Sequence, residues 1–170
     1  MITTFTPEQV EREIAQLSGL LIDAVDSGAS VGFLPPLLQP EADAYWRSVI
    51  ASMRDGSRIL LVATDGEVIQ GSVQLQLDQR ANGTHRAEAT KLFVHRRARR
   101  RGVAKALMAE AESNARRLGR TLLLMDTRKG GEAHRMCEAL GYLQFGEVPN
   151  YARSSDGQLH TTVFFYKELA

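Results

Sequence analysis

In the stretch Arg96-Arg97-Ala98-Arg99-Arg100-Arg101, five of six residues are arginine, and Gly102 then leads directly into the apolar spacing of a helix. Cations at a helix start oppose the macrodipole at a typical cost of about 0.3–1 kcal/mol each, and the N–H groups of the first turn still lack acceptors. A bound anion resolves both problems. A strand, a Gly-containing turn and a helix start together aim successive amides at phosphate oxygens, which points to a pyrophosphate-bearing cofactor. Gly102 lets a ligand approach the backbone, and Ala104 is small for the same reason. Walker and dinucleotide-binding loops fit poorly, because the turn has one glycine and no Lys-Ser or Lys-Thr after it. Clustered arginines also serve as nucleic-acid patches or as solvated turns, and this stretch alone leaves those readings open.

Two acids stand where an acid needs a reason. Glu88 lies between Ala87 and Ala89 in the strand that leads to the arginine turn, and burying it without a partner is costly. Strand alternation would put residues 88, 90, 92 and 94 on one face. The plainer alternative is a salt bridge to Arg86 or Lys91. Asp126 closes the apolar run Leu122-Leu123-Leu124-Met125, at the carboxyl end of a predicted parallel strand, where ligands of open α/β sheets tend to lie. Its plainer alternative is a turn aspartate for the loop that follows.

The elements that must position these groups are legible from caps and periods. Thr6, Pro7 and Gln9 form a capping box with proline at the first helical position, and Gly28 ends the helix predicted over about 7–27. The loop GASVGFLPPLLQP should bury Phe33, Leu34, Leu37 and Leu38. A helix over about 40–54 places Ala44, Tyr45, Val49 and Met53 at helical spacing. Period-two patterns predict strands ILLVAT and VIQGSVQLQL joined at Asp65-Gly66, with Val73, Leu75 and Leu77 on one face, and a third strand over 86–94. A helix over about 102–118 turns Val103, Ala106, Leu107, Ala111 and Leu118 inward and ends at Gly119. TLLLMDT reads as a strand covered on both faces, followed by a short helix over about 132–139 and strands near 143–148 and 161–167.

The chain has 170 residues, 44% apolar and 24% charged, which is ordinary globular composition for one domain. With 21 Lys plus Arg against 20 Asp plus Glu, no general attraction to nucleic acid or anionic membrane is expected. The lone Cys137 rules out an internal disulfide and a cysteine-rich zinc site, and no metal is predicted. The N-terminal stretch lacks the pattern of a secretory signal and no apolar run is long enough to span a membrane, so a cytoplasmic protein is expected.

LFVHRRARRRGVAKALM resembles motif A of the GNAT family of N-acetyltransferases: a strand ending in Val, then Arg/Gln-x-x-Gly-x-Gly/Ala, matched by Arg99-Arg100-Arg101-Gly102-Val103-Ala104. EAHRMCEALGY is similar to that family's following helix and its Leu-Gly-Phe/Tyr end. Within the family, GASVGF, NGTHRAEATKLFV, LLLMDT and GEVPNYARSSDGQLHTTVFF resemble the tabtoxin resistance proteins and their relatives, over roughly residues 28–167. The resemblance implies an α/β (α+β) fold, with a mixed, mostly antiparallel sheet of six to seven strands flanked by about four helices, as one domain over 1–170. It implies acetyl-CoA as cosubstrate, with Leu92, Phe93 and Val94 along pantetheine and Arg99, Arg100, Arg101, Gly102, Val103, Ala104 and Lys105 at pyrophosphate. Arg99 or Arg101 should matter more than Arg96 or Arg97, and His134 joins the cofactor set.

The activity implied is acetyl transfer to the primary amine of a small molecule, such as an amino-acid-like toxin of the tabtoxinine-β-lactam kind, by direct attack in a ternary complex. A peptide or protein amine as acceptor, or a non-catalytic CoA-binding sensor, are the alternatives; a homodimer is compatible with the family, and neither nucleic acid nor membrane is expected as partner. An alkylammonium has a pKa of ~10.4, so a base must remove its proton. Glu88 takes that role, through water, with Asp126 orienting the amine or acting as a second base. An N–H near Val94 would stabilise the oxyanion. Cys137 stands where many members carry a tyrosine that protonates the departing thiolate; a thiol of pKa ~8.5 could substitute, or be simply a small buried side chain. His134 is spaced to pair with Cys137. Phe33 and Tyr151 are expected to contact the acceptor.

Overall fold

The computed structural model describes residues 1–169. Its elements are β1 (Ile2–Phe5), α1 (Pro7–Arg12), α2 (Ile14–Asp26), α3 (Gln39–Arg54), β2 (Arg58–Asp65), β3 (Val68–Leu77), β4 (Arg86–Val94), a 3-10 turn (Arg96–Ala98), α4 (Val103–Arg117), β5 (Leu122–Arg128), α5 (Glu132–Ala139), β6 (Leu143–Arg153) and β7 (Leu159–Glu168). The seven strands form one sheet in the order β1-β2-β3-β4-β5-β7-β6. Only β4 and β5 pair in parallel; every other neighbour is antiparallel. This is a mixed α/β sheet of the expected kind, with five helices.

The sheet is apolar on both faces, which is why helices cover it on both sides. Leu61, Val73, Leu75, Ala87 and Ala89 meet Leu107, Met108, Ala111 and Ala115 of α4 on one face. On the other, Leu60, Val62 and Phe93 meet Leu17 and Leu21 of α2 and Trp46 and Val49 of α3. Among the described residues no helix is long and apolar enough to cross a membrane.

Several boundaries differ from expectation. The capping box forms, with the Gln9 N–H donating to Thr6 Oγ1 at 3.2 Å and the Thr6 N–H to Gln9 Oε1 at 2.8 Å. The helix it starts is interrupted at Glu13, where φ is −97° and ψ is 14°, so two helices stand where one was expected. Strand β1 escaped the sequence reading because it has four residues, too few to display a period, and gains its place by pairing with β2. Helix α3 buries Ala42, Trp46, Val49 and Ile50, a face rotated from the one expected. Ala106 and Leu118 of α4's helical segment, and Leu34 and Leu38 of the proline loop, are exposed; Leu37 anchors that loop.

Trp46 fills the helical core beneath β2 to β4, fully buried and edge-on to Tyr45 at 5.2 Å and Phe93 at 6.4 Å. Trp46→Ala is expected to lower unfolding free energy by about 3–5 kcal/mol in urea titration. A loss below about 1 kcal/mol would show that the surrounding side chains close over the vacated space.

Candidate active site

β4 and β5 share three register pairs, Arg86↔Leu122, Ala87↔Leu123 and Glu88↔Leu124, and then part. A cleft of about 960 Å³ opens in the fork, walled by the ends of both strands, the starts of α4 and α5, and the loop around Ala29 to Gly32. Lys91 sits at the bend with φ 53°, and the β3–β4 register slips there between Ser72 and Gln74. Lys91 and Leu92 thus oppose the single residue Val73, a bulge that bends the strand away from β5. The bulge also reverses the alternation. Leu92 and Val94 pack on the α4 side with Ala87 and Ala89, so the expected common face for 88, 90, 92 and 94 does not exist. Phe93 goes the other way, into the core beside Trp46.

Past the fork, β4 keeps hydrogen bonds to β3 on one side and turns to the cleft an edge with no strand partner, where the Val94 carbonyl accepts from Arg99 Nε at 3.3 Å. The His95 N–H donates to the Gln70 carbonyl at 2.9 Å, so by strand alternation the Val94 N–H points the opposite way, into the cleft. An extended ligand could pair with this edge as an added strand would.

The arginine turn closes one end. Arg100 has φ 60° and Gly102 φ 80°, and the amides of Arg99 to Lys105 find no acceptor among the described residues. Successive N–H groups converging through left-handed residues make an anion-binding concavity, reinforced here by the α4 dipole. Helix α4 has no acid in its first turn. A pyrophosphate fits this donor set. The side chains diverge: Arg99, Arg100 and Lys105 line the cleft, whereas Arg101 points to Asp65 at 4.0 Å, outside it. Arg96 is tied to Asp23 through an ion pair and through its N–H at 2.9 Å.

At the other end Glu88 and Asp126 both line the cleft, Glu88 half-buried and Asp126 open to it. Neither forms an ion pair or accepts a hydrogen bond among the described residues. Arg86 is bound instead to Asp78 at 2.6 Å, and the Lys91 ammonium donates to the Val31 carbonyl at 2.6 Å. Burial, and then the charge of Asp126, push the Glu88 carboxyl above its ordinary range; burial raises Asp126 too, against the pull of Lys91. Burial draws the Lys91 ammonium down, helped by Arg58 and opposed by the two acids.

Sequence reasoning missed Arg58, Gln76, Lys91 and Arg128, all of which line the cleft. The glutamines at alternate positions of an otherwise apolar β3 were the one available signal. Tyr151 does line the cleft, edge-on to Phe164 at 5.4 Å. Phe33 stands behind it, against Tyr45 at 5.2 Å and 5.9 Å from the Lys91 nitrogen.

Besides Arg101 and Phe33, two more residues lie elsewhere than expected. Cys137 is fully buried, its Sγ 3.5 Å from Met125 Sδ, and burial pushes the thiol up to about 12; Glu132, Ala133 and Met136 are the α5 residues that line the cleft. The helix turns residue 137 to the core because the apolar face of α5 must cover β5. His134 does not line the cleft or bond to Cys137. Its Nδ1 accepts from the Gly130 N–H at 2.8 Å and its ring meets Phe165 at 5.4 Å, so it braces the loop before α5.

The profile of the acetyltransferase (GNAT) family matches residues 21–142. An uncharacterised N-acetyltransferase from the hisH-hisA intergenic region of Azospirillum brasilense is 31% identical over 134 residues, covering 75% of this chain and 78% of the relative. The fold is similar to that of ribosomal-protein-alanine N-acetyltransferase from Brucella melitensis, with a TM-score of 0.82 and 19% identity over 99% of each chain. It is also similar to yncA from Salmonella typhimurium, solved with its cofactor acetyl-CoA, with a TM-score of 0.80 and 17% identity over 100% of this chain and 94% of that one. A cleft built at the parting of two parallel strands, an amide-lined turn at its end and these likenesses converge: the chain belongs to the GNAT family of N-acetyltransferases.

Proposed function

We propose that the protein transfers acetyl from acetyl-CoA to the primary amine of a small molecule by direct attack in a ternary complex. The observation that carries this reading is that the free amides of Arg99 to Lys105 and the unpaired acids Glu88 and Asp126 face one continuous cleft. The cosubstrate supplies an acyl group already activated as a thioester. The amides of the turn hold its pyrophosphate, with Arg99, Arg100 and Lys105 offsetting charge, and the edge of β4 from Leu92 to Val94 aligns the pantetheine. The Val94 N–H donates to the carbonyl oxygen as negative charge grows there.

Glu88 accepts the proton of the acceptor's ammonium, through water, and Asp126 orients the amine. A carboxyl raised by burial is closer to the operating pH and a stronger base once ionised. It must be ionised to act, so kcat/KM falls as pH drops through a limb lying above the ordinary carboxylate range. Glu88→Gln is expected to lower kcat by about 10²–10⁴-fold and to abolish that limb. Its acetyl-CoA Kd should stay within about twofold, because the turn that binds the cofactor is untouched. Unchanged turnover removes Glu88 from the mechanism.

Cys137 takes no part in this scheme. Cys137→Ala should keep kcat within about twofold while costing about 1 kcal/mol of stability in urea titration. A large loss of kcat at full folding would return the thiol to the reaction.

The acceptor is an amino-acid-like amine, tabtoxinine-β-lactam being an example of the type; the support is the resemblance of the loops around Phe33 and Tyr151 to those of tabtoxin resistance proteins. A homodimer belongs to the same reading, supported by the exposed Leu143, Phe145 and Val148 on the edge strand β6. The test is a screen of amino acids, β-lactam dipeptides, polyamines and aminoglycosides, read as CoA thiol released. Amine-dependent release is expected, and thiol release with none of them would overturn the reading.

A further inference from the structure

We infer that the acceptor carries a carboxylate as well as its amine, and that Arg58 is the residue that reads it; this rests on the acetyltransferase reading of the cleft. Arg58 begins β2, and the register runs Arg58↔Gln76 and Gln76↔Glu88 across β2, β3 and β4. Cross-strand partners share a face. The guanidinium therefore lies in the same row as Glu88, one strand removed, and all three residues line the cleft.

The side chain is held but not neutralised. One terminal nitrogen donates to Gln74 Oε1 at 2.7 Å, and the fully buried Gln74 in turn donates from Nε2 to the Tyr45 hydroxyl at 2.8 Å. Tyr45 is itself gripped edge-on by Phe33 and Trp46, each at 5.2 Å. The Arg58 Nε is buried without an acceptor, and no carboxylate lies within ion-pair distance of the guanidinium among the described residues. Arg86 and Arg120 also leave Nε unbonded, but their other nitrogens are taken by Asp78 and by backbone carbonyls respectively. Arg58 has neither the carboxylate that holds Arg86 nor the three carbonyls that hold Arg120, only the single Gln74 amide oxygen.

A half-buried cation with a neutral partner is a poor arrangement for an empty protein and a good one for an anionic ligand. A guanidinium offers paired N–H groups that match a carboxylate bidentately. Lys91, which also lines the cleft, spends its ammonium on the Val31 carbonyl. The acceptor end thus presents two unpaired acids, Glu88 and Asp126, and the unpaired guanidinium of Arg58 in the Glu88 row; Arg128, two residues beyond Asp126, also meets no carboxylate among the described residues but donates to the Ser154 hydroxyl. These groups complement an ammonium and a carboxylate on one small molecule. An α-amino acid has both.

The test compares every α-amino acid with its own α-carboxamide as acceptor, by thiol release, in the wild type, Arg58→Gln and Tyr45→Phe. For the amino acid turned over fastest, the wild type should prefer the acid to the amide by at least roughly 30-fold in kcat/KM. In Arg58→Gln that preference should fall to near unity, through a raised KM for the acid, while the acetyl-CoA Kd, set by the α4 turn, stays within about twofold. Tyr45→Phe, which loosens Gln74 without removing charge, should give a smaller loss of the same preference, and it serves if Arg58→Gln does not fold. Equal use of acid and amide by the wild type, or turnover confined to polyamines and aminoglycosides, overturns the role of Arg58 and leaves acetyl transfer standing. Thiol release with no amine at all overturns both.

Discussion

Strands β4 and β5 run side by side for three residue pairs and then diverge, and the chemistry of this protein depends on that divergence. A parallel pair that stayed zipped would satisfy its backbone groups internally and leave no room between Val94 and Asp126. The bulge at Lys91, where the chain takes a left-handed turn at a residue that is not glycine, bends β4 toward β3 and away from β5. Such a conformation is unfavourable for a side-chain-bearing residue and persists only because its surroundings enforce it. Here the enforcement is visible: Phe93 is packed beside Trp46 on one face, while the Lys91 ammonium is tied to the Val31 carbonyl.

The same divergence organises charge. Water cannot fully solvate groups set into the fork, and the protein does not pair them with one another, so Glu88 holds its proton more tightly than an exposed carboxylate would. The arrangement is unfavourable for folding alone. It becomes favourable when ligands bring the missing partners, a diphosphate at the α4 turn and an amine beside the acids. Elsewhere the molecule pairs partly buried charges with one another: Asp78 holds Arg86, and Glu112 holds Lys167. The contrast between these satisfied pairs and the unpaired groups of the cleft separates the scaffold from the site.

Much of the scaffold was legible in the sequence because it follows local rules. The Thr6 capping box, the period-two strands β2 and β3 and the Gly102 turn are written in neighbouring residues, and Glu88 and Asp126 were conspicuous as acids in apolar strands. What was not legible depends on tertiary context. A four-residue edge strand shows no period. The reversal of alternation at Lys91 needs the register with β3, and a lysine there carries no turn signal. Arg58 lies thirty residues from Glu88 in the chain and joins it only through two strand registers. Cys137 and His134 were suspected because of where they fall in a motif, but the rotation of α5 on the sheet decides which side chains reach the cleft, and it turns Cys137 to the core and His134 to the loop.

The central claim is that backbone amides at the start of α4 grip a diphosphate and thereby set the acyl group in the fork. Backbone amide resonances followed by NMR during an acetyl-CoA titration test it most directly. The account predicts the largest shifts, and slowed hydrogen exchange, at the N–H groups of residues 99 to 105, with a second set at residues 92 to 94. Saturable binding that leaves those amides unmoved would contradict it.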